Sequence, residues 1–147
     1  MEVWLNTPPL RLKDLRGQIV VLYFFQMLCP ACVMGASILA NKIHENLLPE
    51  VKLIGVHSVF EHHEAMQKKS LEAYLYEFRY RFPVGIDAPS EGGIPRTMSK
   101  LKLRGTPTFI LVDREGYIRQ EIFGLPDELI LGYLLGKLAM NHVGVRP

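Results

Sequence analysis

Only two cysteines, Cys29 and Cys32, occur among the 147 residues, and only one tryptophan, Trp4. Two cysteines cannot build the multi-disulfide framework of a small secreted scaffold, nor close a four-cysteine zinc site. An excess of one charge is also lacking. The formal net charge of +2 is too small to argue for nucleic acid or an anionic membrane. The one base–aromatic run, Arg79-Tyr80-Arg81, sits on a helical segment and reads as a solvated flank. No apolar run reaches the roughly 18 residues of a membrane span. The first residues, Met1-Glu2-Val3-Trp4-Leu5-Asn6, carry neither a basic nor an apolar stretch, so no signal peptide is visible. The cytoplasm is therefore the expected compartment, and a periplasmic protein stripped of its export signal would read the same way. Repeats and linkers are missing too. With 48% hydrophobic and 22% charged residues, the chain reads as one folded domain over 1–147, long enough for a core.

The two cysteines stand in Cys29-Pro30-Ala31-Cys32, directly after the apolar run Ile19–Phe25. A cysteine at a helix mouth meets unpaired N–H groups and the positive end of the helix dipole, which favour a thiolate. A second thiol three residues on can resolve the mixed disulfide the first one forms. Other uses of the pair stay open: histidines could complete a metal site, although a purely structural disulfide would close too short a loop to stabilise much.

The chain alternates strands and helices. Residues 1–18 read as a loop-like N-terminal extension with room for a short hairpin, broken by Thr7-Pro8-Pro9 and Arg16-Gly17. Ile19–Phe25 is a buried strand. A helix follows from Pro30 to about Leu48, burying Ala36, Ala40, Ile43 and Leu47. Val51–Phe60 is a second strand running into a loop, and Ala65–Arg81 a helix with Leu71, Leu75, Phe78 and Phe82 on one face. Phe82–Ile86 is a short third strand, and Arg96–Leu103 a short helix. Thr108–Val112 and Tyr117–Phe123 flank a turn and predict a hairpin, and Pro126 opens a last helix to about Asn141, leaving 141–147 as a tail. This order predicts an α/β fold, a central mixed sheet flanked by helices on both faces and closed by a C-terminal hairpin and helix.

That order, the Cys-x-x-Cys pair after the first buried strand, and Gly105-Thr106-Pro107-Thr108 before the hairpin together resemble the thioredoxin fold. Leu15-Arg16-Gly17-Gln18-Ile19-Val20-Val21-Leu22, the extended N-terminus and the helix at 65–81 are similar to the redoxin branch. That branch holds TlpA- and ResA-type thiol reductases and the AhpC/TSA-related peroxiredoxins. The resemblance implies a cis Pro107 facing the cysteines, and a Thr106 backbone that docks an extended substrate by strand pairing. It implies Cys29 as an exposed attacking thiolate and Cys32 as the resolving thiol, with Leu28, Pro30 and Thr106 touching the substrate. Protein disulfides or dithiols and an upstream thiol reductant are the implied partners, with no cofactor and a monomer or weak dimer.

Departures from the pattern shape the remaining expectations. Thioredoxins place Trp before the first cysteine, where this chain has Leu28, and a buried Asp six residues before it, where this chain has Tyr23. Without that Asp, Cys32 needs another proton acceptor. Glu61, near a glutamate of ResA-type reductases, is the first candidate, and His57 the second. His57, Glu61, His62, His63 and Glu64 with the cysteines could instead form a copper or zinc site. A peroxidase is a further alternative, but the peroxiredoxin Pro-x-x-x-Thr-x-x-Cys fails at Leu22 and Gln26. The last alternative is a redox-gated interaction module that does not turn over.

Overall fold

The structure is a computed structural model that describes residue 1 and residues 3–140. The predicted tail at 141–147 and the expected helix end at Asn141 lie outside the described residues.

Seven consecutive apolar residues form the strand β2 (Ile19–Phe25), and every one of them is buried. Continuous burial of this kind needs a partner on each side and a layer on each face. On one side β2 pairs in parallel with β3 (Val51–His57), from Ile19 opposite Val51 to Phe25 opposite His57. On the other it pairs antiparallel with β5 (Thr108–Val112). The outer strands are β1 (Val3–Leu5), β4 (Val84–Ile86) and β6 (Ile118–Phe123), giving the sheet order β1-β4-β3-β2-β5-β6.

Strand pleating divides β2 between two cores. Ile19, Val21, Tyr23 and Phe25 face one of them. That core is covered by α1 (Ser37–Leu47), α2 (Lys68–Glu77) and α4 (Glu128–Met140). Val20, Leu22 and Phe24 face the other, which is covered more thinly. Leu10, Leu15, Leu101 and Leu103 pack there, around a 3-10 turn (Leu12–Leu15) and the five-residue α3 (Arg96–Lys100).

The mixed α/β architecture is as predicted; several local expectations are not. The N-terminal segment forms no hairpin. β1 pairs antiparallel with β4 through Trp4 opposite Gly85, because an extended Val-Trp-Leu completes the sheet edge. The helical stretch after the cysteines buries Ala36, Ala40 and Ile43 as expected and Ser37 and Leu39 beside them, while Leu47 is exposed. A π turn at Cys32–Ala36 precedes α1. α2 stops at Glu77, so Phe78 is exposed and Phe82 is buried from coil instead. β3 ends at His57, where the chain runs into the loop expected by Phe60.

Candidate functional site

The chain leaves β2 through a tight turn in which the Cys29 N–H donates to the Gln26 carbonyl at 3.0 Å. Residues 30 and 31 are already helical, so Cys29 sits at the mouth of a helical stretch, as its spacing predicts. The Cys32 backbone N–H donates to Cys29 Sγ at 3.4 Å, and Cys29 Sγ faces the Thr106 carbonyl at 3.6 Å. Both thiols are free. The Thr106–Pro107 peptide is cis, and Pro107 is buried against this site while Thr106 is half-buried. Leu28 and Pro30, next to Cys29 in the chain, are exposed.

One expectation needs correction. Cys29 was expected to be exposed, and it is only 8% exposed. The turn tucks its sulfur between the helix mouth and the Thr106 carbonyl, leaving a narrow opening toward solvent. Cys32 is wholly buried.

Burial, first, and the hydrogen bond with the Cys29 thiol push the Cys32 thiol up to about 12. A thiol so reluctant to ionise needs a partner, and Tyr23 stands beside it, acting in the opposite direction. The Tyr23 hydroxyl shares a 2.7 Å hydrogen bond with Ser37 Oγ, which also accepts from the Tyr74 hydroxyl at 3.2 Å. Burial keeps both phenols protonated, with Tyr74 pushed up to about 12 and Tyr23 raised well above the ordinary phenol value. The position where thioredoxins carry a buried acid thus holds a neutral hydroxyl chain. Tyr23 was noted only as a missing Asp, and nothing in the sequence flagged Ser37 or Tyr74. The available signal was the place of Ser37 three residues before Ala40, which sets it beside the buried stripe.

Gln26 was read only as a failed peroxiredoxin threonine. It is buried, and its amide joins two loops: Nε2 donates to Thr106 Oγ1 at 3.2 Å, and Oε1 accepts from the Phe60 N–H at 3.1 Å. Its place at the end of an apolar strand was the available clue, since a buried amide is rarely left unpaired.

The residues nominated to take the Cys32 proton lie elsewhere. Glu61 is exposed in the loop after β3 and makes no hydrogen bond to either thiol among the described residues. His57 is buried, and its Nε2 accepts the Met27 N–H at 3.1 Å, which pins the turn before Cys29. His62 and His63 are exposed, and among the described residues no three His, Cys, Asp or Glu side chains group as metal ligands.

Burial lowers the His57 pKa from 6.5 to about 4. Between those values the unfolded chain binds a proton that the folded chain refuses. The stability His57 contributes is therefore complete above about pH 6.5 and is lost as pH falls toward 4. His57→Gln, whose amide oxygen can still accept the Met27 N–H, should remove that part of the acid sensitivity. Urea midpoints at about pH 7.5 and about pH 5 check this. The wild-type midpoint should fall further between the two than the variant's.

Comparison with known proteins places this site. The sequence model of the AhpC/TSA family matches residues 5–121. A crystal structure of a thioredoxin-like superfamily protein is 45% identical, with a TM-score of 0.92, covering 96% of this chain and 93% of its own. A thiol-disulfide isomerase from Corynebacterium glutamicum is 48% identical at a TM-score of 0.92, covering 95% of this chain and 92% of its own. A thioredoxin-like protein solved in its oxidized form shares the fold at a TM-score of 0.78 with 16% identity, covering 95% of this chain and 90% of its own. No curated protein matches the chain. On this match and these likenesses the chain belongs to the AhpC/TSA family and is a thioredoxin-like oxidoreductase.

Proposed function

We propose that the protein exchanges its Cys29/Cys32 dithiol with disulfides of other proteins or small molecules. The observation that carries this is the sulfur of Cys29 at the helix mouth, 3.4 Å from the Cys32 N–H and facing the Thr106 carbonyl. The similarity to a thiol-disulfide isomerase supports the same chemistry.

In the reducing direction, Cys29 as thiolate attacks one substrate sulfur. The substrate S–S bond breaks, a mixed disulfide forms, and the first substrate sulfur leaves as thiolate. Cys32 then attacks the Cys29 sulfur, which closes the Cys29–Cys32 disulfide and releases the second substrate sulfur. Two electrons pass to the substrate, and an upstream dithiol returns them. The Cys32 proton must move before that second attack. Tyr23 abuts the thiol and leads through Ser37 to Tyr74, so the hydroxyl chain, not Glu61, is the relay we assign, with the departing sulfur as final acceptor. Leu28 and Pro30 form the rim a substrate would meet, and an extended segment would lie along Thr106.

Stopped-flow rates of the reduced protein with a model protein disulfide and with hydrogen peroxide test the reading. Reaction with the disulfide should be the faster by orders of magnitude. Faster reaction with peroxide would make the protein a peroxidase despite Leu22 and Gln26, and no reaction with either would leave an interaction module.

A further inference from the structure

The thinly covered face of the sheet holds a cavity of about 370 Å³, opposite the cysteine side of β2. Its floor is made by Leu22, Phe24, Ile54 and Val56, with Trp4 and Leu101 among its walls. Its origin lies in the fold. α3 has only five residues and cannot span the sheet, so the N-terminal segment closes the remainder from the far side. A cavity of this size falls within the roughly 300–1,000 Å³ of small-molecule sites.

The charges lining it are unequal. Arg16 and Lys100 contribute two cations and Asp113 one anion. Asp113 is already committed, because its Oδ2 pairs with Arg119 Nε at 2.6 Å and its Oδ1 accepts the Glu115 and Tyr117 N–H groups. Among the described residues, no carboxylate pairs with Arg16 or Lys100. Arg16 is also seated in a definite place. Its guanidinium lies over Gly116, where an added Cβ would come within 2.6 Å of Arg16 Cζ. The cavity thus combines an apolar interior with uncommitted positive charge.

From this combination we infer that the cavity is a binding site for an amphipathic carboxylate, an acyl chain lying on the sheet with its carboxylate at Arg16 and Lys100. Burial of the chain against Leu22, Phe24 and Val56 supplies the affinity, and the cations select an anionic head over a neutral one. The site is separate from the thiol pair, since Phe24 faces it while Tyr23 and Phe25 face the other core.

Trp4, the only tryptophan, lines the cavity and reports its filling. Titration of the reduced protein with octanoate should change Trp4 emission saturably, and octanol should bind about tenfold more weakly. Arg16→Gln with Lys100→Gln should erase that preference while leaving disulfide exchange unchanged. Leu101→Phe, which narrows the space, should weaken both ligands. Equal binding of octanol and octanoate, or no effect of the two glutamine substitutions, overturns the carboxylate assignment. The absence of any saturable change in Trp4 emission or in titration calorimetry overturns the site altogether.

Discussion

Cys29→Ser protein is expected to show no disulfide exchange at all, whereas Cys32→Ser protein should attack substrate once and stop, accumulating a mixed disulfide. The asymmetry follows from position. Cys29 has the opening to solvent and the helix-mouth N–H groups, while Cys32 is wholly enclosed and its thiol is pushed up to about 12. A serine hydroxyl is a far weaker nucleophile than a thiolate, so loss at position 29 removes the first bond-forming step. Loss at position 32 removes only the second. Non-reducing electrophoresis after mixing with a model protein disulfide distinguishes the two variants. A trapped adduct with Cys29→Ser, or none with Cys32→Ser while the wild type turns over, would reverse or sink the assigned roles.

The second large effect is on stability. Phe109→Ala should cost about 3–5 kcal/mol, a major share of the roughly 5–15 kcal/mol that holds a domain together. Phe109 is fully buried in β5 and stacks on Tyr23 with ring centroids 4.8 Å apart, while Tyr23 stacks in turn on Phe25 at 5.0 Å. Deleting the ring leaves a cavity at one end of that stack. Tyr23→Phe should behave differently, because it keeps the packing and removes only the hydroxyl. Its expected cost is about 1–2 kcal/mol, from the hydrogen bond lost to Ser37. It should, however, slow resolution of the mixed disulfide by about a hundredfold through loss of the proton relay. Urea denaturation measures the first effect and single-turnover kinetics the second. A Tyr23→Phe protein that resolves at the wild-type rate would remove the hydroxyl chain from the mechanism.

These contrasts also show what kind of information the sequence carries. The continuous apolar run at 19–25, the Cys-x-x-Cys spacing and the Thr106-Pro107 pair are local patterns, and the central strand, the helix mouth and the facing loop could be read from them. What escaped reading depends on contacts between distant residues. Gln26 joins residues from two other loops, and Ser37 meets Tyr23 and Tyr74, which lie 14 and 37 positions away. The π turn just before Ser37 leaves no mark in a hydrophobic pattern assumed to repeat every 3.6 residues. His57 was read for its chemistry and is a packed acceptor, a distinction that rests on burial alone. The cavity on the second face could not be seen either, because it depends on how little of the sheet a five-residue helix covers.

The reactive turn hangs from β2, a strand hydrogen-bonded to neighbours on both sides along most of its length. Gln26, His57 and the Thr106 loop then brace it from three directions. Segments held this way open only when much of the domain opens with them. If the protein exchanges disulfides as proposed, the thiol pair meets each substrate in a shape set beforehand and adaptation falls to the partner, so flexible or extended disulfide segments should react faster than disulfides locked inside a rigid surface.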